Sequence, residues 1–165
     1  TEAGKRASHT HIPRLSEFRV QHAPSRRDNA WAMSKENVQA LRAAFERYAH
    51  GDFSPIGALG DDFELVISPE APDAGTYRGE EARRWLRAWV ASFEEMTIEA
   101  TEILDSGDKV LLGMTQRGRP PGVDPHTALV EGHWWQVSTF REGELVRAEM
   151  FPERAPALVA AGLGA

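Results

Sequence analysis

Apolar residues recur along this chain at two spacings, and the change from one to the other marks out its elements. Between Ser34 and Gly51 the set Val38, Leu41, Phe45 and Tyr48 falls on one face of a 3.6-residue helix. Ser34 suits the N-cap and Gly51 the C-terminal stop. Ser54 and Pro55 open a short second turn of helix carrying Ile56 and Leu59, Asp61 and Asp62 make a turn, and the apolar run FELVI is a strand. The loop SPEAPDAGTYRG excludes regular structure until Gly79. Glu80 and Glu81 then suit a helix N-terminus, and Ala82, Trp85, Leu86, Trp89 and Phe93 form a second apolar stripe.

From there the period falls to two. A strand is expected near Thr97 to Leu104, a turn at Ser106, Gly107 and Asp108, and a strand from Lys109 to about Arg117. After the loop RGRPPGVDP, Val130 to Phe151 reads as a hairpin turning at Arg141, Glu142 and Gly143, and Pro156 to Ala161 as a short terminal helix stopped by Gly162. In the first hairpin strand Glu131, His133, Trp135, Val137 and Thr139 share one side, and Gly132, Trp134, Gln136 and Phe140 the other. In the second, Leu145, Arg147, Glu149 and Phe151 alternate with Val146, Ala148 and Met150. Both sides are mixed, so one could cover other structure while the other lines a pocket. A half-buried hairpin has no structural need for His133 and Glu149, which makes them the first candidates for chemistry. The element order predicts an α+β fold with helices gathered on one face of a curved sheet.

At 165 residues one domain is expected. A net charge of −6 with scattered basic residues argues against nucleic acid as a partner, since phosphate binding needs a concentrated basic face. No apolar run approaches the ~18 residues that span a bilayer, so no membrane partner is expected and the setting is read as cytoplasmic. The chain has no cysteine, which removes disulfides and thiol chemistry, and its six histidines lack ligand spacing, so no metal and no other cofactor is expected. Residues 1–32, rich in Arg, His and Ser, differ from residues 33–165. They are either sequence foreign to the domain, with Met33 as a natural start, or an arm in which Ile12, Leu15, Phe18 and Val20 dock on the domain or a partner subunit.

From about Ser34 to Leu163 the chain resembles the SnoaL-like branch of the nuclear transport factor 2-like superfamily. The resemblance rests on the order and spacing of NVQALRAAFERYAHGD, LGDDFELVISP, GTYRGEEARRWL, LDSGDKVLL, HWWQVSTFREGELVRAEMF and ALVAAGL. It implies a cone-shaped curved antiparallel sheet with helices on its concave face, an apolar cavity between them, and a homodimer. Superfamily members include polyketide cyclases, ketosteroid isomerases and epoxide hydrolases, and fold does not choose among them. The isomerases' proton-abstracting carboxylate falls on Ser68, which cannot do that work, and their oxyanion-hole acid falls on His133. The epoxide hydrolases' water-activating carboxylate corresponds to Glu149, while their partnered Arg and Asp do not appear within VLLGMTQ.

Two functions therefore remain open. One is a cofactor-independent enzyme acting on an apolar cyclic or polyketide-like molecule, with a cavity-facing Glu149 as base or acid and His133 and Tyr77 stabilising a developing oxyanion. Gln116, Trp135, Trp89 and Met114 are then the expected ligand contacts. The other is a non-catalytic module that binds a ligand or works through its dimer surface, with no carboxylate in the cavity. His133 shares a side with Trp135 and Val137, so a buried, partly neutral imidazole is expected there, serving either a structural hydrogen bond to backbone or proton transfer.

Overall fold

The structure is a computed structural model and describes residues 26–164. Three helices and a six-stranded sheet make up the fold: α1 (Arg26–Ala49), a 3-10 turn (Ser54–Ala58), β1 (Glu64–Ile67), β2 (Gly75–Arg78), α2 (Glu80–Ala91), β3 (Glu94–Ser106), β4 (Lys109–Arg119), β5 (Val130–Arg141), β6 (Glu144–Phe151) and α3 (Arg154–Ala160). The strand order is β2-β1-β6-β5-β4-β3. All neighbours are antiparallel except β1 and β6, which run parallel, so the sheet is mixed. The β5–β6 link is a two-residue loop in which Glu142 and Gly143 both take positive φ, the turn whose twist matches a hairpin.

Two local expectations are corrected. Ser34 is not an N-cap, because α1 begins upstream at Arg26 and runs straight through it. No Gly or Pro between Arg26 and Ser34 breaks the helix, and the buried Ser34 hydroxyl instead donates to the Asp105 carboxylate on β3. The loop before Gly79 is not irregular throughout, since Gly75–Arg78 pairs antiparallel with β1 as a short edge strand. Residues 26–32 thus continue the domain's first helix, and Ile12, Leu15, Phe18 and Val20 lie outside the described residues.

The sheet register decides which side chains face inward. Val110, Leu112 and Met114 of β4, Phe140 of β5 and Met96 and Ile98 of β3 pack against Leu41 and Phe45 of α1. Leu65 and Ile67 of β1 with Ala148 and Met150 of β6 pack beneath Ala82 of α2, against Trp85 and Trp89. These residues form the concave side. On the convex side the alternate positions Leu111 and Val137 are covered by Ala157 and Ala161 of α3. Two bonds dock the end of that helix: the Lys109 ammonium donates to the Ala160 carbonyl at 3.1 Å and the Ser106 hydroxyl to the Ala161 carbonyl at 2.6 Å. A cation at exposed C-terminal carbonyls also meets the negative end of the helix dipole. Gly79, which starts α2, is fixed by space as well as angle. Its φ is 50°, and a Cβ there would lie 2.6 Å from the Asp61 carbonyl oxygen.

Candidate functional site

The concave side holds a partly open cavity of about 60 Å³. The strands contribute Leu65, Ile98, Met114, Gln136, Leu145, Ala148 and Met150 to its wall; the helices contribute Phe45, Tyr48, Leu86, Trp89 and Val90. Phe53, Ile56, Leu59 and Phe63, in and around the 3-10 turn, complete it. Sixteen lining residues contain three side chains able to hydrogen-bond, Gln136, Tyr48 and the indole N–H of Trp89, and no carboxylate, imidazole, ammonium or guanidinium. Burial pushes the Tyr48 phenol up to about 12, with the nearby Asp52 carboxylate adding to the shift. It therefore stays protonated at neutral pH. Its ring sits 5.0 Å from Phe45 and 5.2 Å from Phe53, centroid to centroid. The Gln136 amide nitrogen donates to the buried Ser138 hydroxyl at 2.8 Å. The interior can hold apolar matter and offer neutral hydrogen bonds; it has no group that exchanges a proton near pH 7.

The residues expected to line this interior divide. Met114 and Trp89 do line it. Gln116 is buried on the same face as Met114, two residues beyond it toward the end of β4 that pairs with Gly132, and is not in the wall. Tyr77 is at the rim of the fold: its ring packs 5.9 Å from Trp85 and its hydroxyl donates to the Asp73 carbonyl at 2.9 Å.

The placement expected for Trp135, His133 and Glu149 is corrected, because all three are on the convex side. Trp135 lies over Gly113 so closely that a Cβ there would meet its ring at 2.5 Å, and the Arg154 guanidinium stands 5.6 Å from the ring centroid. His133 is exposed, with its Nδ1 3.1 Å from the Thr115 hydroxyl. Glu149 faces the same way as Val137, its partner across the hairpin, and lines a charged groove with Glu64, Arg78 and Arg147. Its carboxylate is 3.2 Å from Arg147 Nε, while Arg147 also reaches Glu64 at 3.3 Å. The Nε contact is an ion pair without hydrogen-bond alignment. His133 and Glu149 therefore share a face, because a bulge between Thr139 and Phe140 brings Glu149 opposite Val137, but the face is the outer one. Four residues of β5 separate His133 from the position opposite Glu149, so the two groups stand about 13 Å apart along the strands.

Sequence reasoning missed Gln136 and Tyr48 as site residues. The available signal was modest: a carboxamide in phase with Trp134 and Phe140, and a phenol in the apolar stripe of the first helix. Among the described residues no three His, Asp or Glu side chains come together to hold a metal ion, and no helix is long and apolar enough to cross a membrane.

Comparison with known proteins places the fold. No family model and no curated protein matches the chain. Among solved structures it is similar to an NTF2-like protein of unknown function from Burkholderia pseudomallei K96243, with 22% identity and a TM-score of 0.57 over 75% of this chain and 95% of that one. It is similar to a candidate SnoaL-like polyketide cyclase from Jannaschia sp. CCS1, with 15% identity and a TM-score of 0.54 over 79% and 94% of the two chains. It is also similar to TerC co-crystallised with polyporic acid, with 18% identity and a TM-score of 0.55 over 70% and 90%. The chain has the α+β fold of the nuclear transport factor 2-like superfamily, the fold of its SnoaL-like neighbours.

Proposed function

We propose that this protein binds a small, uncharged, mainly apolar molecule inside the cone and acts as a homodimeric binding module. The carrying observation is the composition of the cavity wall, in which the polar groups are those of Gln136, Tyr48 and the Trp89 indole and none is ionised at neutral pH. A bare ion brought into such a wall would lose its hydration without gaining a counter-charge, at a cost of many kcal/mol. TerC, co-crystallised with polyporic acid, supports small-molecule binding by a protein of this fold. Homodimerisation rests on the resemblance described above.

The volume sets a condition. A cavity of about 60 Å³ is well under the ~150 Å³ of an engineered apolar cavity that accepts benzene. A ligand of ring size must displace part of the wall. The segment Phe53 to Leu59 lies outside the strand ladder: its backbone bonds Ile56 N–H to Phe53 O and Leu59 N–H to Ile56 O are 3.1 and 3.2 Å, and the Arg83 guanidinium donates to the Leu59 carbonyl at 2.6 Å. A thermal-shift series with benzene, toluene and benzoate tests the reading. The two neutral rings should raise Tm and benzoate should not; stabilisation by benzoate alone, or by none, contradicts it. Sedimentation then reads the oligomeric state.

A second reading, an acid–base enzyme using Glu149, draws on the half-burial of that carboxylate beside Arg147 and on the similarity to a candidate cyclase. In this geometry its chemistry belongs to the outer groove, with His133 too far from Glu149 to share a reacting atom and Tyr77 engaged by Asp73. Glu149→Gln discriminates the readings. Unchanged cavity binding in that variant is expected of a module, and loss of a turnover present in the parent is expected of an enzyme.

A further inference from the structure

Resting on the cavity reading, we infer that the ligand carries one hydrogen-bond donor, a hydroxyl or ring N–H, and that the Gln136 side-chain oxygen receives it. Gln136 is central in the sheet, opposite Leu112 on β4 and Met150 on β6, and its side chain enters the wall from the concave side. Its amide nitrogen is occupied, because it donates to Ser138 Oγ at 2.8 Å. That bond fixes the plane of the carboxamide, since Ser138 is two residues along the same face and fully buried. The amide oxygen has no protein partner among the described residues. The oxygen keeps accessible surface rather than being sealed in, and an acceptor so placed that meets a donor on the ligand gives both affinity and discrimination.

The remaining wall narrows the class further. Trp89, Phe45, Phe53, Leu86 and Met114 offer flat and polarisable apolar surface on the other sides, which suits a planar ring. A small neutral heteroaromatic or phenolic molecule with a single donor fits this arrangement. A carboxylate fails it through charge, and a plain hydrocarbon or an ether leaves the carboxamide oxygen unpaired.

Pyrrole and furan make the test, because the five-membered rings are close in size and differ in N–H against O. Their dissociation constants are measured by calorimetry on the parent protein and on Gln136→Met, which keeps the length and removes the acceptor. Comparing the change in the furan-to-pyrrole ratio between the two proteins cancels the different hydration of the ligands. One hydrogen bond should move that ratio by about tenfold toward furan in the variant. A ratio that moves less than twofold overturns the inference while leaving the cavity reading intact. Failure of both molecules to bind the parent overturns both. Should Gln136→Met not fold, the side-chain amide signals of Gln136 in the parent serve instead: they should shift with pyrrole and stay still with furan, and equal shifts refute the role.

Discussion

Replacing Ala148 with valine should stabilise the protein and close its cavity. Ala148 sits on the central strand β6 between Leu65 of β1 and Ser138 of β5, is 3% exposed, and contributes its methyl group to the cavity wall. Valine is β-branched and at home in a strand, so the backbone gives no objection. An unfilled space of about 60 Å³ costs roughly 1.4 kcal/mol at ~24 cal/mol per Å³. Two added methyl groups, each gaining about 0.8 kcal/mol on burial, offset a similar amount if both fit. Overpacking by even one of them would take back about 1–3 kcal/mol. The expected outcome is a gain of about 1 kcal/mol, which for a domain of this size raises Tm by roughly 2–4 °C. Urea unfolding at constant m, run with and without toluene, reads both consequences: a higher midpoint for Ala148→Val, and no further rise when toluene is added. A variant destabilised by more than about 1 kcal/mol would show that the space is already filled, and one that still responds fully to toluene would show that binding lies elsewhere.

Three further outcomes are expected. Gly79→Ala should cost about 2–4 kcal/mol through a left-handed φ and a backbone clash, since its Cβ would press to 2.6 Å from the Asp61 carbonyl oxygen; chemical denaturation checks it, and a change under 1 kcal/mol contradicts the geometry. The Tyr48 phenol, raised from 10.0 to about 12 in the folded protein, favours folding below its unfolded value and loses that contribution as pH rises through its folded one. Unfolding free energy should therefore fall between pH 10 and 12 in the parent and fall less in Tyr48→Phe. The Glu102 carboxyl lies below the usual range because Arg154 donates two hydrogen bonds to it, at 2.7 and 3.1 Å. Its contribution is present above the ordinary carboxylate value and is lost as pH falls through the lowered one. Glu102→Gln should thus flatten the acid limb of the stability curve, and an unaltered limb would rule the pair out as a contributor.

The element order was legible in the chain because each helix carries its own apolar period and each turn its own Gly or Asp. The two-residue turn at Glu142 and Gly143 alone would set Glu149 opposite Gln136, on the face away from His133, and a bulge between Thr139 and Phe140 shifts the register so that Glu149 pairs with Val137 instead. Which face turns inward could not be read locally either. Each phase of β5 mixes large apolar and polar residues, and the choice between them comes from distant partners: α3 claims Leu111 and Val137 for the outer face, and α1 claims Val110 and Leu112 for the inner. The parallel β1–β6 pair is hidden for the same reason, since its partners are more than eighty residues apart. Ser34 misled because a capping residue and a mid-helix residue bonded to another element look alike in sequence, and here the Asp105 carboxylate takes its hydroxyl. Gln136 and Tyr48 were passed over because neither residue type signals acid–base chemistry, and this interior has none to signal.

Methionine methyl resonances test the central idea, that the cone takes up a small neutral molecule, most directly. Met114 and Met150 line the cavity, Met96 is buried beyond its wall, and Met33 is exposed on α1. Titrating methyl-labelled protein with pyrrole should shift Met114 and Met150 together along one saturable curve and leave Met33 unmoved. Shifts confined to Met33, or no saturable change at Met114 and Met150, would contradict it.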